Sequence, residues 1–237
     1  RATVTGLRNQ LGLTPTGLNK ARSKQTASTD KSKIEQLLSD AHDYAVEHAA
    51  EYQRDVDAYV DKVLSGEIVA CEWIVLACRR YLNDLASCRW DFRPEPACEI
   101  IATIETMLCH QQGEFLDATP LRGTPFYLLP YHKFICFNIM GFYIKGTNER
   151  RFKEALDFIP RKNVKTTFAA SLAWALALYE RRSGSKVYEV GGALKQAMEG
   201  FDFLKYNVER LGATVKEDAG RGLRITDNNM EHSIVGD

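Results

Sequence analysis

The run Ile159-Pro-Arg-Lys-Asn-Val-Lys-Thr-Thr167 crowds three cations, Arg161, Lys162 and Lys165, into one short stretch and ends on two hydroxyls, Thr166 and Thr167. Cations set so closely repel one another unless an anion sits among them. A Lys and a hydroxyl at a helix start are suited to a triphosphate. The first-turn N–H groups and the positive end of the helix dipole face the anion, the Lys adds charge, and the hydroxyl can reach a magnesium ion. The glycine pattern G-x-x-x-x-G-K-[ST] fails at both glycines, because Ile159 and Val164 stand there. If position 164 needs positive φ, a β-branched residue costs roughly 1–2 kcal/mol or more. If the turn is ordinary, Val164 only limits how closely backbone approaches phosphate. On the residues alone, a chance Lys-Thr helix start whose cations snorkel to solvent remains the alternative.

A second group lies upstream, in Leu129-Pro-Tyr-His-Lys-Phe134. The His132 imidazole offers one donor and one acceptor to a purine edge, and Tyr131 and Phe134 are either ring contacts for a base or ordinary core. Six cysteines stand at 71, 78, 88, 98, 109 and 136 with no C-x-x-C pair, and the histidines at 42, 48, 110, 132 and 232 give no zinc spacing.

The elements that must position these groups are mostly helices. Ile34, Leu37, Leu38, Ala41, Tyr44, Ala45 and Ala49 follow a 3.6-residue period, predicting a long helix from Ser32 to Leu64 that could break near Gln53, closed by Ser65-Gly66. Further helices are expected over Val69–Leu85, from Pro94-Glu-Pro96 to Gly113, from Leu128 to Gly141, from Thr166 to Arg182 and from Leu194 to Leu211. Arg151–Ile159 and Lys186–Val190 read as strands, with Leu223–Ile225 and Ser233–Val235 as shorter candidates. Strand, loop, helix, strand, helix is the order of a parallel α/β sheet. The expected organisation is a basic arm and linker at 1–33, a helical region at 34–118 and an α/β domain at 119–237.

Composition narrows the class. With 237 residues, 45% hydrophobic and 26% charged, the chain is long enough for a substantial core and is neither disordered nor collagen-like. Lys+Arg 31 against Asp+Glu 31 leaves no net charge, so nucleic-acid contact must come from local excess. Arg1, Arg8, Lys20, Arg22, Lys24, Lys31 and Lys33 against the single acid Asp30 provide one such excess, which is either a binding arm or a solvated tail. The apolar run Phe168–Leu178 is too short for a membrane span and the start lacks a signal-peptide core, so a soluble protein retained in the cytoplasm is expected.

Arg161-Lys-Asn-Val-Lys-Thr-Thr167 after Phe158-Ile-Pro160 resembles the R-K-N-G-K-[ST] loop of the phage terminase large subunits of the HK97-like group. Tyr59–Trp73 continuing to Leu85 is similar to their N-terminal helical region. Leu129-Pro-Tyr-His-Lys-Phe134 with Asn138 and Gly141 resembles their L-x-P-[WY]-Q-x-F segment, with His132 in place of Gln, and Val187–Gln196 resembles their second strand and following helix. Leu7–Pro15 echoes a segment near the end of some small-terminase subunits.

The resemblance implies a P-loop (ASCE-type) NTPase with a parallel sheet, a viral DNA-packaging ATPase that carries a nuclease in its complete form. It implies ATP and Mg2+ as cofactors, with Lys165 and Arg161 as catalytic residues. Pro160, Arg161, Lys162, Asn163, Val164, Lys165, Thr166, Thr167, Tyr131 and His132 would bind nucleotide, and Thr166 the metal. Implied partners are double-stranded DNA, the terminase small subunit, the portal protein and further copies of the chain, with no membrane contact, in the host cytoplasm at the prohead portal. Between Thr167 and Asp237 no apolar run ends in Asp-Glu, and the nuclease carboxylates are missing, so the chain is expected to be truncated before Walker B and inactive alone. The other reading is a non-catalytic assembly module whose degenerate loop is structural and whose helical half binds a partner.

Overall fold

The computed structural model describes residues 15–115, 117–160, 163–180, 186–212, 224–227 and 231–235, and for 15–34 and 224 the backbone path only. Two units are distinguished, one made of Asp40–Asn207 and the other of the chain up to Ser39 together with the chain from Val208.

Helix α1 (Pro15–Ser65) buries Ala41, Ala45, Tyr52, Val56, Val60 and Val63, spaced by three, four or seven so that they share one stripe. It runs unbroken through Gln53, whose amide donates to Asp57 and to the Tyr81 hydroxyl. Gly66, at φ 83°, makes the left-handed turn beyond its end. In α2 (Glu72–Ala86) Cys78, Tyr81 and Asp84 are buried at three-residue spacing. Strand β1 (Trp90–Phe92) follows, and then α3 (Glu95–Met107), which carries a Pro in its first turn. Helix α3 is buried nearly all round through Cys98, Ile100, Ile101, Thr103, Ile104, Glu105 and Met107, and packs on both α4 (Pro130–Gly141) and α5 (Lys165–Tyr179).

Strand β2 (Phe142–Ile144) leaves α4 directly and pairs antiparallel with β1, Phe92 opposite Phe142 and Trp90 opposite Ile144. Inside this corner the Tyr81 ring lies edge-on to Phe92, Phe134 and Phe142, with centroids 5.5–6.2 Å away. Gly141 permits the close approach, since a Cβ there would stand 2.9 Å from the Phe92 ring. Helix α6 (Leu194–Arg210) is fastened by Asn207. Its side-chain oxygen accepts from the Cys109 N–H at 2.7 Å and its amide donates to the Cys109 carbonyl at 3.1 Å, as a neighbouring strand would. The other unit holds the antiparallel pair β3 (Arg224–Asp227) and β4 (His232–Val235), with Asp227 opposite His232.

The result is a mixed fold, mainly helical with two small sheets, loosely of the α/β class. The parallel sheet expected from sequence is absent among the described residues: both sheets are two-stranded and antiparallel. Arg151–Ile159 forms no strand. Arg151 N–H donates to the Phe142 carbonyl, its guanidinium pairs with Asp84 and covers Trp90, and Phe152 lies between the Arg80 and Arg151 guanidiniums. Beyond that anchor the segment has no neighbour to pair with, and Leu156 and Phe158 are each 94% exposed. Lys186–Val190 is likewise unpaired, with Tyr188 and Val190 exposed. The third helix stops at Met107 rather than Gly113 because Cys109 turns to bridge Pro125 and Asn207. The short strand candidates near 224 and 233 are found, as β3 and β4.

Candidate functional site

The loop that begins α5 is built around Val164. It sits at φ 58°, ψ 13°, in the left-handed region, immediately before Lys165 at the first helical position. No side chain caps this helix end, and its first internal hydrogen bond is from the Phe168 N–H to the Val164 carbonyl at 2.9 Å. The first-turn N–H groups ahead of it are the ones a helix leaves for an outside acceptor. Asn163, Val164 and Lys165 are exposed, and Thr166 and Thr167 half-buried. Arg161 and Lys162 lie outside the described residues, as do the side chains of the basic arm.

Two neighbours steady the loop. The Asn163 amide donates to the Pro160 carbonyl at 3.4 Å, and the Tyr131 hydroxyl, from the first turn of α4, donates to the Asn163 carbonyl at 3.3 Å. Asp157 is close enough for Lys165 to act on it: partial burial raises its carboxyl above the usual range and the Lys165 charge pulls the other way. The Tyr131 phenol is raised by burial and by the Asp157 charge. Tyr131, Asp157, Asn163 and Lys165 are thus brought together.

His132 takes a different place. It is 1% exposed, its ring stacked on Phe168 at 4.4 Å and beside Tyr131 at 3.9 Å. The Leu129 N–H donates to Nδ1 at 3.3 Å, which assigns the ring proton to Nε2. Nε2 is buried with no hydrogen-bond partner, and burial lowers the imidazole pKa to about 4, so the ring is neutral at physiological pH. Phe134 belongs to the core, against Tyr59 and Tyr81.

The turn entering α4 is held from behind. Glu105, buried in α3, accepts from the Leu128 N–H through one oxygen and from the Tyr52 hydroxyl through the other, both at 2.9 Å. Lys133 lies over the Tyr52 ring and pairs with Asp55 at 2.5 Å. Burial raises the Glu105 carboxyl, which these hydrogen bonds and Lys133 oppose. Asp157 and Glu105 were missed in the sequence, although each is a lone acid in an apolar run, Leu156-Asp-Phe-Ile159 and Ile104-Glu-Thr-Met107.

Among the described residues no three His, Cys, Asp or Glu side chains cluster as a metal site, and no helix is long and apolar enough to cross a membrane. No protein-family model, curated protein or solved structure matches the chain.

Proposed function

We propose that this chain is the nucleotide-binding part of a DNA-packaging motor of the terminase large-subunit type. The observation that carries the reading is Val164. A β-branched residue in the left-handed region is an outlier that costs roughly 1–2 kcal/mol, and such strain collects where a backbone turn serves binding. It falls where the phosphate-loop pattern has its second glycine, directly before a Lys-Thr helix start without a side-chain cap.

The residues fit a triphosphate: first-turn N–H groups of α5, the Lys165 ammonium and the Thr166 hydroxyl, with the cations Arg161 and Lys162 four and three residues before Lys165 in the sequence. Magnesium bound there would neutralise phosphate charge. Thr166 would be its ligand from the loop, and among the described residues no cluster of three acidic, His or Cys side chains adds to it, so nucleotide binding and turnover would separate. Lys165 holds phosphate and Asp157 stands by its ammonium. Tyr131, half-buried with its ring beside that of His132, would be the contact for a base.

The complete protein would couple ATP hydrolysis to translocation of double-stranded DNA and cut it, with the basic arm on DNA phosphates and with small subunit, portal and further copies of the chain as partners in the host cytoplasm.

The test is binding of a fluorescent ATP analogue to the parent chain and to Lys165→Ala, with phosphate release measured in parallel. We expect parent affinity in the tens of micromolar or weaker, about −6 kcal/mol, lost in Lys165→Ala, and no turnover above background. Equal affinity in both proteins overturns the reading. A non-catalytic assembly module then becomes the better account. It is favoured by the exposed apolar side chains Val69, Trp73 and Leu76 before and at the start of α2, of the kind partners cover.

A further inference from the structure

We infer that Glu105 is a positioning residue for the loop at Asn163–Thr167, acting through the first turn of α4 and so tying the loop to helix α1.

The inference deepens the nucleotide-binding reading and rests on it for its affinity measurement, but the contacts that carry it are independent of any ligand. Tyr52 on α1 donates to one Glu105 oxygen and the Leu128 N–H to the other. Leu128 stands two residues before Pro130, the first residue of α4. Leu129 is fixed in turn by its N–H bond to His132 Nδ1, and its carbonyl accepts from the His132 and Lys133 N–H groups. Tyr131, inside that turn, reaches the Asn163 carbonyl one residue before the left-handed Val164. Each joint is a hydrogen bond or a single helical turn, so a displacement at Glu105 arrives at Asn163 with little slack.

A buried carboxylate is an expensive way to hold a backbone N–H in an apolar helix, and a hydrophobic residue there would pack without a desolvation cost. What the carboxylate adds is two fixed acceptors facing different elements, α1 and the segment entering α4. Coupling of this kind is reciprocal: whatever orders the Asn163 turn also favours the Tyr52–Glu105 contact.

The experiment compares four single variants and one double variant with the parent. Glu105→Ala removes both acceptors. Glu105→Gln keeps the oxygen for the Leu128 N–H and can donate to the Tyr52 oxygen. Tyr131→Phe removes only the last joint. Val60→Ala, a cavity in the same α1 stripe, controls for general destabilisation. Affinity for the fluorescent ATP analogue and hydrogen exchange at the Phe168 N–H, whose acceptor is the Val164 carbonyl, are both read.

Glu105→Ala and Tyr131→Phe are expected to weaken affinity and to speed Phe168 exchange about tenfold each. Glu105→Gln and Val60→Ala should stay within twofold, and the Glu105→Ala/Tyr131→Phe double variant should be no worse than the worse single variant. Additive losses, failure of Gln to rescue, or the same response in Val60→Ala overturn the inference. If the parent binds no nucleotide, the functional proposal falls while Phe168 exchange alone still decides this one. If Glu105→Ala does not fold, the cycle of Tyr52→Phe with Tyr131→Phe is used, and additive effects again overturn it.

Discussion

The corner formed by Tyr81, Phe92, Phe134 and Phe142 and the segment from Leu156 to Lys165 lie in the same unit and are built on opposite terms. In the first, Tyr81, Phe134 and Phe142 are buried and Phe92 half-buried, three rings meet Tyr81 edge-on, and the backbone enters and leaves through regular elements. In the second, Leu156 and Phe158 face solvent, the described backbone has no ladder, and Val164 is held in a conformation its side chain disfavours. Stability therefore resides in the corner, and the proposed phosphate loop lies in a segment that adds little to it. The corner also holds α4 through Phe134 and, at its end, Phe142, and α4 carries Tyr131, which donates to the Asn163 carbonyl of the loop.

The sharpest way to break this contrast is a pair of truncations. Tyr81→Ala should cost about 3–5 kcal/mol in urea unfolding, as expected for loss of a large buried ring, whereas Phe158→Ala should change stability by less than about 0.5 kcal/mol. A comparable loss at Phe158 would mean that the exposed segment is packed in solution.

The next largest effect is one of pH. His132 binds its proton near pH 6.5 when unfolded but only near pH 4 when buried. Between these values the unfolded chain takes up more protons, so the stability His132 contributes is present above pH 6.5 and is lost as pH falls toward 4. After allowance for screening the loss is roughly 2–3 kcal/mol, and His132→Phe should abolish that part of the slope in unfolding experiments run across this window.

Gly141→Ala tests the corner more gently. Its methyl group would press on the Phe92 ring, and about 1–3 kcal/mol should be lost, read as a lower melting temperature. Smallest of all, Val164→Gly relieves the left-handed strain at the expense of a more flexible unfolded chain, for a net gain of about 0.5–1 kcal/mol in stability. Nucleotide affinity should stay equal or tighten. A net loss would show Val164 to be a packing residue.

The helices around the corner were legible in the sequence, and the reason is periodicity. The stripe through Ala41 and Ala45 and the Pro-led start of α3 carry local signals that tertiary packing reinforces. The start of α5 was legible as well, and so was the dependence of the loop on the conformation of residue 164. The strands β1 and β2 were not, because three residues are too few to show alternation and both are set by packing on the ends of helices. Arg151–Ile159 misled for the opposite reason. Its alternation is present, but an ion pair, three guanidinium–ring contacts and the lack of a neighbouring strand among the described residues decide its path. Glu105 and Asp157 escaped because a single acid in an apolar run announces a buried partner without saying which one.

The Asn207 bridge to Cys109 spans 98 residues of chain, and α4, the loop and α5 all lie inside the ring it closes. Bringing such distant residues together carries an entropic cost that grows slowly with ring size, at about 0.6 kcal/mol per doubling, yet it must be met before the contact returns anything. This clasp should therefore be among the last native contacts to form and among the first to open in sub-global fluctuations. When it opens, α6 loses its hold on Cys109, while α4 and α5 keep their packing on α3. A protease given brief access to the native protein would then be expected to cut near α6 before it cuts within α4 or α5.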